Sequence, residues 1–145
     1  MHKLKDKGDT GVLYIATRMT ELGWTVAFPL SEHAPYDLLA EKEGHFHSIQ
    51  ARYSTPVNGV ARVKLKSSWA DKHGNHYKLR KESDFTLLGV YIPDAGIVFI
   101  GAQEFSNAHN ISIRLSKSAN NQSIGIRYFD DFQDIPLYPL CLLSR

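Results

Sequence analysis

Residues 35–52 of this chain bring together an acid, an amide and a guanidinium. Asp37 precedes a short apolar run, and Gln50 and Arg52 follow on the far side of a Glu-Gly pair. Carboxylate and amide oxygens are hard ligands that suit Mg2+, and a guanidinium binds phosphate oxygens in bidentate fashion. Hydrolysis of a phosphodiester needs a divalent cation, a positioned water and positive charge around the phosphate. An acid, an amide and a guanidinium are groups that such chemistry can use, and burial of apolar surface does not require them to be gathered here.

The same stretch predicts the element that positions them, a hairpin of two strands. Leu38, Leu39 and Ala40 form the apolar run of the first strand, Glu43-Gly44 makes the reversal, and residues 46–52 alternate in polarity. Positions 50 and 52 are two apart on a strand, so their side chains share a face, and the hairpin can hold Asp37 on that face too.

This pattern resembles the PD-(D/E)XK nucleases, and most closely the cyanobacterial-type intron homing endonucleases that use the same fold. Their signature is Asp followed about a dozen residues later by (Asp/Glu/Gln)-x-Lys on a hairpin. The resemblance extends over roughly residues 5 to 100, with further motifs in the family's order: Lys7-Gly8-Asp9-Thr10-Gly11, Leu22-Gly23-Trp24, Val26-Ala27-Phe28-Pro29 and Pro35-Tyr36-Asp37-Leu38.

The resemblance implies an α/β fold of the restriction-endonuclease type, with a central mixed sheet flanked by helices and a basic β-ribbon insertion. It implies site-specific cleavage of double-stranded DNA, with Asp37, Gln50 and Arg52 as catalytic residues. Asp37 and the backbone carbonyl of Ala51 would hold Mg2+, with Mn2+ as an alternative ion. A chain this small makes few DNA contacts, so a homo-oligomer is expected, a tetramer in preference to a dimer.

Two positions depart from the family pattern. Arg52 stands where Lys is expected; it can stabilise phosphate charge but will not deprotonate. Gly11-Val12 stands where the family has Gly-Glu, and Val12 cannot ligate a metal; Glu21, more than two turns later, is not expected to replace it. Two alternatives therefore stay open: a non-catalytic DNA-binding or regulatory protein on a nuclease scaffold, and a structure-selective resolvase.

Composition fits one domain over residues 1–145. Of the 145 residues 43% are hydrophobic, which suits a globular core. The sequence has no apolar run near the ~18 residues of a membrane span and no signal peptide, so no membrane partner is expected. The single cysteine, Cys141, excludes an internal disulfide and favours the cytoplasm.

Positive charge is concentrated in residues 52–83, a segment that we call the basic arm. Residues 52–81 carry eight basic side chains and one acid, a net charge of +7 in a chain whose total is +2. We expect the arm to bind DNA, the alternative being a solvated insertion. Residues 60–66 alternate like a strand, and 72–81 could return as the second strand of a ribbon that enters the major groove. Base readout is expected from Arg62 and Lys64, and phosphate contact from Lys72 and Lys78; the DNA-binding set comprises Arg62, Lys64, Lys66, Lys72, Lys78 and Arg80.

The remaining elements follow from periodicity. We expect a first helix over residues 8–22, capped by Asp9 or Thr10 and stopped by Gly23, and an apolar tail at 129–145 that contacts the core or another subunit. Further strands are expected at 24–28, 85–92, 97–100, 111–115 and 124–128, with a helical turn at 103–105.

Three features that contain histidine or acidic residues have competing interpretations. His45 and His47 are expected to be exposed on the face of their strand opposite Ile49, with zinc ligation as the alternative. Residues 71–76 hint at an HNH nuclease but lack its spacing. Asp84, before an apolar strand, would either orient the site or cap a loop.

Overall fold

The computed structural model describes residues 3–79, 85–105, 108–116 and 126–137. The elements are α1 Lys3–Glu21, β1 Thr25–Ala27, β2 Leu38–Lys42, β3 His45–Tyr53, β4 Val60–Lys64, β5 Lys66–Asp71, β6 Gly74–Leu79, β7 Leu87–Ile92, β8 Gly96–Gly101, β9 Asn110–Arg114 and β10 Arg127–Tyr128, with 3-10 helices at Ala102–Glu104 and Phe129–Phe132. The centre of the fold is a mixed five-stranded sheet in the order β1-β2-β3-β7-β8, in which β3 and β7 are parallel and the other neighbours antiparallel. A second sheet has the order β10-β9-β4, and β5 and β6 form a separate two-stranded ribbon.

The central sheet separates two apolar cores, so the molecule has three layers. On one face α1 contributes Ile15 and Met19 to a core that includes Ile49 and Leu87; on the other, the three-stranded sheet contributes Val63 and other side chains. Alternating residues of β7 serve the two cores, because successive side chains of a strand point to opposite faces. The predicted α/β fold with a central mixed sheet is confirmed; among the residues that the structure describes, its flanks are one α-helix and the small sheet.

The first helix begins earlier than the sequence pattern predicts. It starts at Lys3, so Asp9 and Thr10 are interior residues and not caps. The Thr10 hydroxyl instead donates to the carbonyl oxygen of Asp6, at 2.7 Å. A threonine inside a helix commonly makes this hydrogen bond to the carbonyl four residues earlier. The predicted stop is confirmed: Gly23 has φ +89° and its N–H donates to the carbonyl of Thr20, while the N–H of Trp24 donates to that of Met19.

The hairpin of β2 and β3 forms as predicted. Lys42 pairs with His45, which leaves Glu43 and Gly44 as a two-residue turn. Both have positive φ, 52° and 81°, as in the type I′ turns that match the twist of the flanking strands.

The basic arm is organised differently from the prediction. β4 contains Arg62 and Lys64, with Ala61 and Val63 buried behind them, as the alternation predicts. Its partner, however, is β9, and not residues 72–81. The ribbon exists, but it pairs Lys66–Asp71 with Gly74–Leu79. The pattern therefore identified β4 and the returning strand of the ribbon, but it missed β5 and assigned β4 to the wrong sheet, because the partner of a strand is set by non-local packing.

The other predicted elements are confirmed within the described residues. β7 and β8 form the apolar hairpin, β9 covers the predicted 111–115 strand, and a 3-10 turn covers Gln103 and Glu104. β10 forms only the end of the predicted 124–128 strand, whose earlier part lies outside the described residues, as do residues 138–145 of the tail. None of the described helices is long and apolar enough to cross a membrane.

Candidate active site

The register of the β2–β3 hairpin places Asp37 beside Gln50. Leu38 pairs with Ile49, and the N–H of Asp37 donates to the Ile49 carbonyl at 2.8 Å, so the next opposed pair is Asp37 and Gln50. Leu38 and Ile49 point into the helix-side core, so Asp37 and Gln50 point to the opposite face of the sheet. Leu39 and Phe46, on that same face, are exposed, which leaves this part of the sheet accessible to a large substrate.

The Asp37 carboxylate is held in one orientation by β3. Its Oδ2 accepts a hydrogen bond from Gln50 Nε2 at 2.6 Å and another from the Ala51 backbone N–H at 2.8 Å. A carboxylate can only accept, so the Gln50 amide must turn its NH2 toward Asp37 and its oxygen away. Among the described residues Oδ1 has no hydrogen-bond partner. Asp37 Oδ1 and Gln50 Oε1 therefore remain available to a ligand.

Arg52 brings a cation to the same face. It lies two residues beyond Gln50 on β3 and is half-buried, and its Nη1 donates to the Ala51 carbonyl oxygen at 3.3 Å. The structure thus gathers Asp37, Gln50, the Ala51 backbone and Arg52 into one cluster, as the sequence spacing predicts.

Comparison with known proteins identifies the family of the chain. Residues 2–135 match the family model described as PD-(D/E)XK endonuclease. The chain belongs to this family. It is 24% identical over 96 residues to Protein 5.3 of Escherichia phage T7, covering 63% of this chain and 75% of that protein. Its structure is similar to that of the bacterial homing endonuclease I-Ssp6803I, with a TM-score of 0.69, 20% identity and 83% of each chain covered, which shows a common fold.

By their spacing on the hairpin, Asp37, Gln50 and Arg52 resemble the PD-(D/E)XK pattern that gives the family its name, with Gln50 at the predicted position of Asp/Glu and Arg52 at that of Lys. The chain therefore keeps one of the two motif carboxylates and exchanges the lysine for a residue that stays protonated. Its motif residues sum to a charge of zero.

The helix does not supply the missing carboxylate. Gly11 packs so closely on β3 that an added Cβ would lie 3.3 Å from the Arg52 carbonyl oxygen. Val12, beside it, packs against the helix-side core and not toward Asp37. Glu21 lies at the far end of α1 and pairs with Arg18 at 3.1 Å. In the described part of the chain no three His, Cys, Asp or Glu side chains come together as a metal cluster.

The donor atoms of the site nonetheless suit a hard cation. Asp37 Oδ1, Gln50 Oε1 and the Ala51 carbonyl are all oxygens, the ligand type that Mg2+ prefers, and Mg2+ commonly uses one or two carboxylates and completes its shell with water and substrate phosphates. The set fits Mg2+ with one protein charge, which predicts weaker binding than a site with two carboxylates.

The predicted DNA-binding residues divide between two elements. Arg62 and Lys64 are exposed on β4, and Lys72 is exposed at the turn of the ribbon. Lys66 and Lys78 belong to the ribbon strands β5 and β6. Arg80, like Asp84, lies outside the described residues.

Ser54 was not singled out by the sequence pattern. Its buried hydroxyl donates to the Arg62 carbonyl at 2.8 Å and so connects β4 to the end of the strand that carries Arg52.

The expectation that His45 and His47 lie exposed on the face opposite Ile49 is wrong for both residues. Positions 45, 47 and 49 share one face by strand alternation, and His47 is buried on the helix side against Trp24. Its Nε2 lies 2.6 Å from the Pro136 carbonyl and its Nδ1 lies 2.8 Å from the Thr86 hydroxyl. A carbonyl only accepts, so Nε2 carries the proton and Thr86 donates to Nδ1 when the ring is neutral. Burial lowers the pKa of His47, an effect opposed by the bond to Pro136. Through its hydrogen bond to the Pro136 carbonyl, His47 attaches the segment at Pro136 to β3.

Proposed function

We propose that this chain is a metal-dependent, site-specific endonuclease of double-stranded DNA, of the intron homing type. The observation that carries the proposal is the hydrogen-bonded juxtaposition of Asp37 with Gln50 and the Ala51 N–H, with Arg52 on the same face of the sheet. Burial of apolar surface does not require such a cluster, and it occupies the positions of the family's motif. The similarity to a homing endonuclease of the same fold supports the narrower substrate class.

In this proposal Asp37 Oδ1, Gln50 Oε1 and the Ala51 carbonyl hold Mg2+, with Mn2+ as the alternative ion. The bound ion would polarise the scissile phosphate and lower the pKa of a coordinated water. Asp37 is pre-oriented for this role, because the Ala51 N–H and the Gln50 amide fix its carboxylate before any ligand arrives. Asp37 then needs little reorganisation when the ion binds, whereas the Gln50 oxygen, which is turned away from Asp37, and Arg52, which donates to the Ala51 carbonyl, must reorient.

Arg52 binds the phosphate that is cleaved. Its guanidinium can donate two parallel hydrogen bonds to phosphate oxygens and stabilise the charge that develops on them. Since it stays protonated, it positions and stabilises but does not remove the proton from the attacking water. We further propose that Arg62, Lys64, Lys66, Lys72, Lys78 and Arg80 contact the duplex on either side of this phosphate.

The test is cleavage of a supercoiled plasmid that carries the intron-insertion sequence. The expected result is nicked and linear product with Mg2+ or Mn2+, none with a chelator, and none from Asp37→Asn. Cleavage that survives Asp37→Asn would move the metal to another site.

A second candidate is a DNA-binding or regulatory protein that does not cut. It is favoured by Val12, which turns into the core where the family pattern has a carboxylate, and by the zero net charge of the motif residues. Salt-sensitive DNA binding without cleavage in either metal would support this candidate over the nuclease.

We also propose that the protein is a homo-oligomer, a tetramer in preference to a dimer, that assembles partly through residues 129–145. Leu137, in the described part of this tail, is 52% exposed, which leaves apolar surface for a partner subunit. Sedimentation equilibrium of the chain would measure its assembly state, and a monomer at micromolar concentration would contradict the proposal.

A further inference from the structure

The outer face of the small sheet is a continuous basic surface. Arg62 and Lys64 lie two residues apart on β4, and Arg114 lies on β9 opposite Val60, the residue that precedes Arg62 on this face. Ser112 stands directly opposite Arg62 and Asn110 opposite Lys64. Ala61, Val63, Ile111 and Ile113 are buried beneath, which fixes the outward direction of the polar side chains.

Among the described residues of β4, β9 and β10, no acidic side chain balances the charge of this face. Within the described residues Arg62, Lys64 and Arg114 form no ion pair, and the ion pairs found there lie on α1 and on the ribbon. Like charges on adjacent strands repel one another, so a rigid sheet that holds three cations side by side suits a polyanion.

The width of the sheet decides how it would meet DNA. A two-stranded ribbon fits the major groove, which is about 12 Å wide. Three strands at ~4.8 Å spacing already separate the outer backbones by about 9.6 Å, before side chains are added. The β5–β6 ribbon can therefore enter a groove, whereas the β10-β9-β4 sheet must rest on the phosphates that border it.

The face also adjoins the candidate site. The Arg62 carbonyl accepts the Ser54 hydroxyl, and Ser54 is two residues beyond Arg52 on the chain. A duplex with one phosphate at Arg52 can thus continue over β4 toward β9.

We propose that the outer face of the small sheet binds the sugar-phosphate backbone of duplex DNA without regard to sequence, and that Arg114 is its third cation. This inference rests on the proposed function. It assigns Arg62 and Lys64 to phosphates, in place of the base readout that the sequence suggested, and leaves base readout to the ribbon. Asn110 and Ser112 add neutral hydrogen-bonding groups to the same surface.

The experiment compares Arg114→Ala with Arg18→Ala, a matched control on α1 that removes the same charge from another layer. Binding to two duplexes of unrelated sequence is measured by fluorescence anisotropy in chelator, over about 50–200 mM salt. Arg114→Ala is expected to lower the slope of log K against log[salt] by ~0.9. One phosphate contact contributes about a factor of 10^0.9 to the affinity per decade of salt, so this variant should bind both duplexes about eightfold more weakly at 0.1 M. Arg18→Ala should match the wild type.

Ser112→Glu provides a second variant at an exposed position, where folding is not at risk. It places a negative charge between the three cations and should weaken both duplexes at least as much as Arg114→Ala. The inference is overturned if Arg114→Ala and Ser112→Glu both bind like Arg18→Ala, or if they change affinity for only one of the two duplexes. A wild-type chain that binds neither duplex at low salt would refute the proposed function itself.

Discussion

The contact between Asp37 and Gln50 permits a quantitative test of the candidate metal site. The substitution Gln50→Glu replaces an amide nitrogen, 2.6 Å from Asp37 Oδ2, by a carboxylate oxygen. Two unit charges at that distance repel by about 1.6 kcal/mol even at the dielectric constant of water, and more at a buried position. Gln50 is 6% exposed, so the repulsion exceeds this lower bound.

Protonation of the new carboxyl sets an upper bound on the loss of unfolding free energy. A carboxyl with an ordinary pKa near 4.3 takes up a proton at pH 7 at a cost of about 3.7 kcal/mol, and once protonated it can donate to Asp37 as the amide does. The variant should therefore lose about 2–4 kcal/mol of unfolding free energy at pH 7. The new carboxyl has a folded-state pKa above its unfolded value, so the folded state binds the extra proton and the loss shrinks as pH falls. At pH 5 it should be about 1 kcal/mol or less.

A divalent cation should reverse the loss, because it neutralises both carboxylates at once. Mg2+ at a hundredfold excess over its dissociation constant adds about 2.7 kcal/mol to the stability of the folded state. Urea denaturation of the wild type and variant at pH 7 and pH 5, with and without Mg2+, measures all of these quantities. Gln50→Met is the control: it loses the hydrogen bond without adding charge, so its deficit should not respond to pH. Because this variant also loses the Oε1 ligand of the proposed site, Mg2+ should not reduce its deficit. If the Gln50→Glu deficit changes with neither pH nor Mg2+, Asp37 and position 50 do not form a cation site.

The other predictions concern separate parts of the molecule. Asp37→Asn should abolish cleavage yet leave DNA affinity equal or higher, because a negative charge beside phosphate is removed; gel-shift and plasmid assays on one preparation check both. Val12→Glu combined with Arg52→Lys should raise cleavage if the two departures limit activity, and no gain would favour the non-cutting candidate. Because the pKa of His47 is lowered from 6.5 in the folded state, protons favour the unfolded chain below that pH, and stability should fall at up to ~1.4 kcal/mol per pH unit until the folded pKa is reached. His47→Leu should remove this component in urea melts at pH 7.5 and 5. Lys72→Ala, at the ribbon turn, should weaken all duplexes alike in anisotropy titrations; a change for a single sequence would instead indicate base readout.

The site could be predicted from the sequence because its geometry is local. A two-residue turn with positive φ at Glu43 and Gly44 fixes the register of β2 and β3, and that register alone opposes Asp37 to Gln50. The periodicity of two then assigns Arg52 to the same face. No long-range contact is needed for this inference.

The errors arise where a local signal competes with a tertiary one. Asp9 and Thr10 are good helix caps, but the helix continues back to Lys3 and Thr10 bonds within it. Residues 60–66 have a clear strand pattern, but the sequence does not reveal that β4 pairs with β9, a strand far along the chain. His47 shares a face with Ile49, so strict counting along β3 would have found it buried; the signal was present in the alternation and the polar residue type obscured it.

The net charge of the motif residues bears on both candidate functions. The PD-(D/E)XK motif places two carboxylates and a lysine together, an excess of one negative charge that attracts a divalent cation. Here Gln50 removes that excess, so the cluster of Asp37, Gln50 and Arg52 attracts a cation less and a phosphate more. A site that is neutral before the ion binds depends on the DNA phosphate to complete its ligand set. If the proposed function holds, metal affinity should therefore rise when duplex is bound, whereas the non-cutting candidate predicts no such coupling between Mg2+ and DNA.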